Sequence, residues 1–313
     1  MQAVTEKDKN IKLVDSVVTI GTFDGLHVGH KEIIESLKSK AKETNLASVV
    51  ITFFPHPRSI ITEDFDLKLL TPIDEKKVLF RDWDIDYLYI IDFTKEFSKK
   101  TYKEFFEEVL IKRIGAKHLV IGYDHKFGKD RAGNINKLKE YTQESSIGLT
   151  IIGPKEVNSE NVSSTKIRNA LLEGDLDKAN EFLGRSYKIE GIVVEGAKRG
   201  RTLGFPTANL GLKENNKLIP HNGVYFVKVK LGVSSYFGVA NIGLRPTFNN
   251  AHEPITEVYI LDFNEDIYGE KITVEFLKRI RDEKKFSSKF ELEDNIKKDV
   301  EISKKYIKEF KNN

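Results

Sequence analysis

Short apolar segments alternate with amphipathic ones through the first half of the chain, and this alternation predicts an α/β fold. The apolar segments are rich in β-branched residues, as buried strands are, and lie at residues 17–20, 47–53, 87–91, 118–121 and 149–152. Between them, apolar residues recur at helical spacing at residues 31–42, 74–83, 102–114 and 136–143. Short buried strands separated by helices are typical of βαβ units on a parallel sheet, which bind ligands at the carboxyl ends of the strands.

The second half follows a different pattern, in which strands come at closer spacing. Alternating or β-rich segments lie at residues 187–194, 224–231, 235–242, 257–263 and 271–276. This spacing predicts an antiparallel sheet or a small barrel. A long helix is predicted after the strands. Its apolar stripe consists of Leu292, Ile296, Val300 and Ile307. We therefore expect two domains, at residues 1–183 and 186–313.

Composition narrows the class of protein. The 313 residues contain 51 basic and 48 acidic side chains, so the net charge of +3 gives no electrostatic case for nucleic-acid binding. The absence of cysteine excludes disulfides, thiolate metal sites and a cysteine nucleophile. The polar first ten residues do not resemble a signal peptide, and no apolar run approaches the about 18 residues of a membrane span. We expect a cytoplasmic protein without nucleic-acid or membrane partners; an oligomer is compatible with the sequence.

A glycine- and histidine-containing segment, residues 21–30, joins the first strand of the α/β pattern to the first helix. Gly21 and Gly25 permit a positive φ or close approach of a ligand to the backbone. His27 and His30 are three residues apart at the predicted helix start and therefore face the same side. The helix N-terminus favours phosphate, and two imidazoles there can donate hydrogen bonds to a phosphorus centre under attack. The alternative is a glycine turn with two surface histidines; the spacing fits neither a zinc site nor a P-loop.

A second segment, residues 163–168, opens a later helix with three hydroxyl groups and two basic side chains. The hydroxyls of Ser163, Ser164 and Thr165 can accept from the helix and donate to an anion. Arg168 can bind phosphate through two hydrogen bonds. By itself the segment is better explained as an ordinary helix cap with solvated charges. Together with the histidine segment it predicts a site for a triphosphate.

These two segments, GTFDGLHVGH and SSTKIR, resemble the HxGH nucleotidyltransferase superfamily. The segments at 54–57 (FPHP) and 121–128 (IGYDHKFG) are similar to the bacterial FMN adenylyltransferases. The resemblance implies a Rossmann-like domain in which His27 and His30 stabilise the transition state while the phosphate of FMN attacks ATP. It also implies that Ser164, Thr165 and Arg168 hold the departing pyrophosphate. The ligand contacts implied are Gly21, Phe23, Asp24, Gly25, Pro55, His56, Asp124, Phe127, Ser163, Ser164, Thr165 and Arg168.

The second half contains a loop, residues 196–210, that is dense in glycine and basic side chains. Such a loop can wrap a phosphate chain. Thr207 and Asn209 are two residues apart and both carry side-chain oxygens, so both can reach Mg²⁺. Glu257, at the start of a predicted strand, can serve as a general base if it lies near a metal and a hydroxyl group. The alternatives are an exposed loop between strands and a surface glutamate.

This half resembles riboflavin kinases. The matching segments are GFPTANL at 204–210, GVYFV at 223–227, GVANIGLRPTF at 238–248, EVYILDF at 257–263 and RDEKKF at 281–286. The resemblance implies an antiparallel β-barrel in which Thr207 and Asn209 hold Mg-ATP. It implies that Glu257 accepts the proton of the riboflavin 5′-hydroxyl and that Arg281 lies near the flavin. Further nucleotide contacts are implied at Gly196, Lys198, Gly200, Arg201 and Pro206.

The order of the two halves resembles that of the bifunctional prokaryotic FAD synthetases. This implies an adenylyltransferase domain at residues 1–183, a kinase domain at 186–313, Mg²⁺ as cofactor, and ATP, riboflavin and FMN as substrates. Two alternatives stay open at this point. One is a catalytically silent flavin-binding regulator of the same fold; the other is a nucleotidyltransferase for a different phosphate acceptor joined to a kinase-like barrel.

Overall fold

The computed structural model describes residues 1–5, 8, 15–62, 67–125, 128–129, 133–196, 204–212, 216–246 and 252–312. The chain divides into two compact units, Met1–Ser164 and Thr165–Asn313. The two helices between residues 164 and 183, which the sequence analysis assigned to the first domain, thus fall almost wholly in the second compact unit. The boundary between two independently folding domains, near residues 183–186, stays a prediction.

The first unit is built around a parallel sheet. Its strands are β1 (Gln2–Thr5), β2 (Ser16–Ile20), β3 (Ala47–Phe54), β4 (Tyr87–Asp92), β5 (Ala116–Gly122) and β6 (Gly148–Ile152). All neighbouring strands pair in parallel, in the spatial order β1-β4-β3-β2-β5-β6. An antiparallel pair follows, formed by β7 (Glu156–Val157) and β8 (Glu160–Asn161).

The helices of this unit cover the sheet. They are α1 (Val28–Thr44), α2 (Pro57–Ile61), α3 (Ile73–Asp82), a 3₁₀ turn (Phe97–Lys99), α4 (Tyr102–Glu104) continuing as a π-helix (Phe105–Arg113), and α5 (Ile135–Glu144). One apolar cluster joins the sheet to the π-helix and a second joins it to α1 and α3. All five residues of β2 are buried. Because apolar layers pack on both sides, the strand ends offer a ligand its route to the sheet.

The second unit is a barrel with helices around it. Its elements are α6 (Ser164–Glu173), α7 (Leu176–Leu183), β9 (Tyr187–Val194), β10 (Ala208–Leu212), β11 (Gly223–Leu231), β12 (Ser234–Pro246), β13 (His252–Ile260), β14 (Lys271–Arg281) and α8 (Lys289–Asn312). The six strands pair in antiparallel fashion and close into a barrel in the order β10-β13-β12-β11-β14-β9. The predictions of a parallel α/β domain, an antiparallel barrel and a long C-terminal helix are confirmed.

Alternation of buried and more exposed residues is clearest on β9, whereas the first five residues of β11 are all buried. On that strand Tyr187, Ile189, Gly191 and Val193 are buried, and the residues that alternate with them are more exposed. The long helix α8 packs on the outside of the barrel through aromatic contacts: the ring of Phe226 lies 5.6 Å from that of Tyr306. Helix α7 is fixed to the barrel by Asn180, whose amide donates to the carbonyl of Phe276 (2.9 Å). No helix in the described part of the chain is long and apolar enough to cross a membrane.

Candidate active sites

The segment between β2 and α1 is a turn with unusual backbone geometry. Phe23, Gly25 and Leu26 have φ values of 47°, 87° and 44°. Glycine adopts such angles freely, but for the other two residues the cost is on the order of 1–3 kcal/mol each. Both side chains are buried in the core, and this packing offsets the cost. Backbone strain of this kind clusters at functional sites, so the turn is a candidate site on structural grounds as well.

Buried Asp24 fastens the turn to the rest of the first unit. Its carboxylate accepts hydrogen bonds from the backbone N–H groups of Leu70 (3.3 Å) and Thr71 (2.9 Å). Its backbone carbonyl accepts a hydrogen bond from the hydroxyl of Ser164 (2.8 Å). The carboxylate therefore holds the turn in place, and the contact with a ligand predicted for Asp24 stays a prediction.

A buried lysine gives the turn a second attachment. Lys76 is 3% exposed, and its ammonium group donates to the backbone carbonyl of Thr22 (2.6 Å). The N–H of Gly21 donates to the carbonyl of Ile51 at the adjoining strand (3.0 Å). The sequence analysis missed Lys76. A signal was present, because Lys76 precedes Phe80 by four residues and thus shares its apolar helix face.

The two histidines lie side by side at the start of α1. Their rings are stacked, with centroids 3.7 Å apart and planes 14° from parallel. His27 caps the helix, its Nδ1 accepting from the backbone N–H of His30 (3.3 Å). An accepting Nδ1 places the proton of neutral imidazole on Nε2, which makes Nε2 a hydrogen-bond donor. The prediction that the two side chains face the same side is confirmed by this stack.

Gly29 leaves the room that the stacked histidines need. A Cβ at this position would lie 3.3 Å from two ring atoms of His27 and 3.5 Å from the Cβ of Lys155. Lys155 reaches across the first turns of α1 and pairs with Glu32 (2.5 Å). The helix start is thus bordered by this ion pair, and the only side chain between the two histidines in the sequence is that of Val28.

The segments at 54–57 and 122–125 flank the histidine turn. Because β3 and β5 are the parallel neighbours of β2, their carboxyl ends meet at one edge of the sheet. Phe54 and Tyr123 present aromatic side chains there, exposed by 45% and 47%. This edge therefore combines a helix N-terminus, which generally favours anions, with exposed aromatic rings.

The remaining residues predicted for this site differ in burial and in their hydrogen bonds. His56 caps α2, its Nδ1 accepting from the N–H of Arg58 (3.2 Å), and Pro55 before it is half-buried. Asp124 is exposed beside Gly122. Phe127 lies outside the described residues. Their contacts with a ligand stay predictions.

The hydroxyl-rich motif is divided between the two compact units. Ser163 and Ser164 belong to the first, whereas Thr165, which is exposed, and Arg168, which is half-buried, belong to the second. The hydroxyl of Ser164 ties the motif to the histidine turn through its hydrogen bond to the backbone carbonyl of Asp24. The phosphate contacts of all four residues stay predictions.

Four of the polar side chains of the barrel share one row across neighbouring strands. Asn209 pairs with Glu257, Glu257 with Asn241, Asn241 with Val224, and Val224 with Arg281. Side chains opposite each other on antiparallel strands project to the same face, with Cβ atoms about 4.5–5.5 Å apart. The barrel therefore places the carboxylate of Glu257 between two amides. The sequence analysis predicted three of these polar residues and missed Asn241, although its motif was noted.

The segment before β10 leads into this row. The ring of Phe205 packs edge-on against Tyr259, 5.3 Å away, while Pro206 is exposed and Thr207 half-buried. Position 196 accepts only glycine without a rearrangement, because a Cβ there would overlap the side-chain amide of Asn209. Of the other residues predicted to bind nucleotide, Lys198, Gly200 and Arg201 lie outside the described residues.

Mg²⁺ suits the donors at this position. Thr207 and Asn209 contribute neutral oxygens, the hard ligands that Mg²⁺ prefers, and Gly196 leaves the Asn209 amide its space. Within the described ranges, no group of three or more His, Cys, Asp or Glu side chains could hold a metal on its own. The donor set therefore fits an ion that keeps water and substrate phosphate as its other ligands.

Comparisons with known proteins match both units. A family model described as FAD synthetase matches residues 9–166, and one described as riboflavin kinase matches residues 183–307. A bifunctional riboflavin kinase/FMN adenylyltransferase of Bacillus subtilis is 38% identical over 295 residues, covering 93% of this chain and 92% of the relative. One of Buchnera aphidicola subsp. Schizaphis graminum is 39% identical over 303 residues, covering 95% and 96%.

A solved structure is similar in fold along nearly the whole chain. The crystal structure of a Streptococcus pneumoniae chain, described as a macrolide-efflux protein, superposes with a TM-score of 0.89. It is 36% identical and covers 96% of this chain and 98% of that one. Both halves of the present chain are thus found together in relatives of similar length.

Proposed function

This chain belongs to the bifunctional riboflavin kinase/FMN adenylyltransferases, and from that premise we propose that it converts riboflavin to FMN and FMN to FAD. The observation that carries the proposal is that two separate family matches cover nearly the whole chain, one for each activity. Each match lies almost wholly on a compact unit with a candidate site of its own. The two reactions therefore use two sites and two molecules of ATP.

The kinase reaction belongs to the barrel. The 5′-oxygen of riboflavin attacks the γ-phosphorus of ATP, the bond to the β–γ bridging oxygen breaks, and FMN and ADP result. Glu257 accepts the proton of the attacking hydroxyl, and its position between Asn209 and Asn241 supports this role. Mg²⁺, held by Thr207 and Asn209, supplies charge neutralisation on the phosphates when bound. Phosphoryl transfer depends chiefly on such positioning and electrostatics.

The adenylyl transfer belongs to the α/β unit. A phosphate oxygen of FMN attacks the α-phosphorus of ATP, the bond to the β-phosphate oxygen breaks, and FAD and pyrophosphate result. The attacking group is already an anion, so no protein base is required. His27 and His30, with the N–H groups at the start of α1, donate to the oxygens on which charge develops. The exposed rings of Phe54 and Tyr123 offer apolar faces for the flavin.

The substrates are small molecules, and we place the enzyme in the cytoplasm. ATP is available there, and a chain without cysteine has no need of an oxidising compartment. Flavin is consumed and released in this scheme, so it is a substrate and not a resident group.

One experiment tests the proposal. The purified chain is incubated with riboflavin, ATP and Mg²⁺, and the flavins are separated by chromatography; a second reaction starts from FMN. We expect FMN and FAD from the first reaction, FAD from the second, and neither when a chelator removes Mg²⁺. Absence of both products from a folded protein would support the silent flavin-binding regulator. FMN without FAD would indicate an adenylyltransferase for another phosphate acceptor.

A further inference from the structure

An ion pair with two hydrogen bonds joins the end of β14 to the long helix α8. The guanidinium group of Arg281 donates from Nε to Oδ1 of Asp299 (2.9 Å) and from Nη2 to Oδ2 (2.7 Å). Such a two-point contact fixes the plane of the guanidinium group as well as its position. Asp299 is 4% exposed, whereas the other acidic partners described on α8 lie nearer the surface.

Burial makes this carboxylate costly unless it is fully paired. A charge removed from water gains stability only when its partner and geometry compensate for the lost hydration. Helix α8 is already attached to the barrel by aromatic rings, Tyr306 on Phe226 and Phe310 near Phe237. A buried acid on a helix that apolar contacts already hold is therefore better explained by what it does for Arg281.

Arg281 stands at the end of the polar row that contains Glu257. It pairs with Val224, which pairs with Asn241, which in turn pairs with Glu257. Three of the five N–H donors of its guanidinium group are bound in the described structure, two by Asp299 and one by the carbonyl of Asp282 (2.9 Å). The other two can reach acceptor atoms of a ligand on the row.

The loop that follows β14 depends on the same arginine. The guanidinium carbon of Arg281 lies 5.7 Å from the ring centre of Phe286. The carboxylate of Glu283, in the same loop, sits so close above Gly243 that a Cβ there would overlap it. Gly243 lies two residues from Asn241, so Arg281 holds a loop that reaches the row at its centre.

We propose that Asp299 is a positioning residue of the kinase site, which orients Arg281 so that its remaining N–H groups bind riboflavin beside Glu257. This inference rests on the proposed function and deepens it by assigning a role to helix α8. Asp299 contacts no substrate; it acts through the geometry of the arginine. The ligand class is an uncharged flavin, whose ring carbonyls and ribityl hydroxyls are acceptors for N–H donors.

The test compares Asp299→Asn with Asp294→Asn in the full-length chain. The first keeps the shape of the side chain but removes the charge; the second makes the same change at a surface pair with Lys298 (2.7 Å) on the same helix. Riboflavin affinity is measured by quenching of flavin fluorescence, and kcat and KM are measured for both reactions. We expect Asp299→Asn to weaken riboflavin binding about tenfold or more, with little change in the KM for ATP or in FAD formation from FMN. Asp294→Asn should change none of these values.

A double-variant comparison separates positioning from stability. In a chain that already carries Arg281→Lys, which cannot make the two-point contact, Asp299→Asn should add little further loss of riboflavin affinity. Losses that multiply, or unchanged riboflavin affinity with a lowered melting temperature, would overturn the inference. If the wild-type chain binds riboflavin but makes no FMN, the proposed activity fails while the binding comparison still decides the role of Asp299. If it binds no riboflavin, both fail.

Discussion

The two candidate sites of this chain are built in different ways. In the α/β unit, both histidines and the turn that carries them come from ten consecutive residues, and buried Asp24 and Lys76 only fix that turn. In the barrel, Asn209, Asn241, Glu257 and Arg281 come from four strands and meet only through register. A site built from one continuous segment can be damaged by a single backbone change within that segment. A site built from neighbouring strands depends on the correct pairing of the whole barrel.

The largest effect is expected at the centre of the row. Glu257→Gln removes the proton acceptor while keeping the size of the side chain, and should lower FMN formation from riboflavin about 10²- to 10⁴-fold. FAD formation from supplied FMN should stay unchanged, because it uses the other unit. Both rates are measured by chromatography of the flavins.

The matched control is Glu275→Gln, at a strand glutamate that pairs with Lys230 (2.6 Å). Both rates should stay near those of the wild type in that variant. Loss of both activities in Glu257→Gln would show that the two sites are not separate.

The next effect concerns the local site. His30→Ala removes one donor and the ring that stacks on His27, and should lower FAD formation from FMN about 10²- to 10³-fold. Riboflavin phosphorylation should be unaffected. Both are measured in the same preparation. The control is His118→Asn, at a histidine near the amino end of β5 that bonds to Thr150 (2.8 Å). A near-normal rate of FAD formation in His30→Ala would remove this histidine from the mechanism.

Sequence patterns predicted the geometry of the two histidines better than that of the polar row, for a physical reason. The spacing of His27 and His30 on a helix is set by the helix itself, so their shared face follows from three positions of separation. Asn241 could not be assigned in the same way, because only the pairing of β12 with β13 brings it opposite Glu257. The stacking of the imidazoles and the attachment by Lys76 also depend on tertiary contacts.

Elements of the fold with a clear local pattern were likewise predicted better than those that form through tertiary pairing. The strand predicted at 187–194 coincides with β9, and the helix predicted at 31–42 lies within α1. Strands β1 and β10 were missed, since Gln2–Thr5 and Ala208–Leu212 carry little pattern and become strands by pairing at sheet positions that neighbours provide. The helix predicted at 102–114 exists, but most of it has π geometry, which the apolar spacing did not indicate.

Two glycines allow the two kinds of site to be compared directly. A Cβ at Gly196 would overlap the amide of Asn209, whereas a Cβ at Gly29 would lie 3.3 Å from the ring of His27. Gly196→Ala must therefore displace Asn209 and should raise the KM for ATP in the kinase reaction about tenfold. Gly29→Ala requires a shift of only tenths of an ångström and should lower adenylyl transfer a few-fold.

Steady-state rates for both reactions measure these changes, and each variant uses the other activity as its control. A larger loss in Gly29→Ala than in Gly196→Ala would show that the histidine turn tolerates less displacement than the row. That result would reverse the order of sensitivity expected from the available space.

The smallest effect lies in the loop that joins the row to α8. Hydrogen bonds from the Lys284 ammonium group and from Ser287 lower the pKa of Glu291 from 4.5 to about 2. Since the folded pKa is the lower one, this contribution to stability is complete above pH 4.5 and is lost as the pH falls toward 2. Urea unfolding at pH 7 and pH 3 should show Glu291→Gln less stable than the wild type at pH 7, with a smaller difference at pH 3.

The control for the loss of a charge is Glu293→Gln, at a surface pair with Lys297 on the same helix. A difference for Glu291→Gln that is equal at both pH values would mean that the carboxylate does not stabilise the loop through its charge.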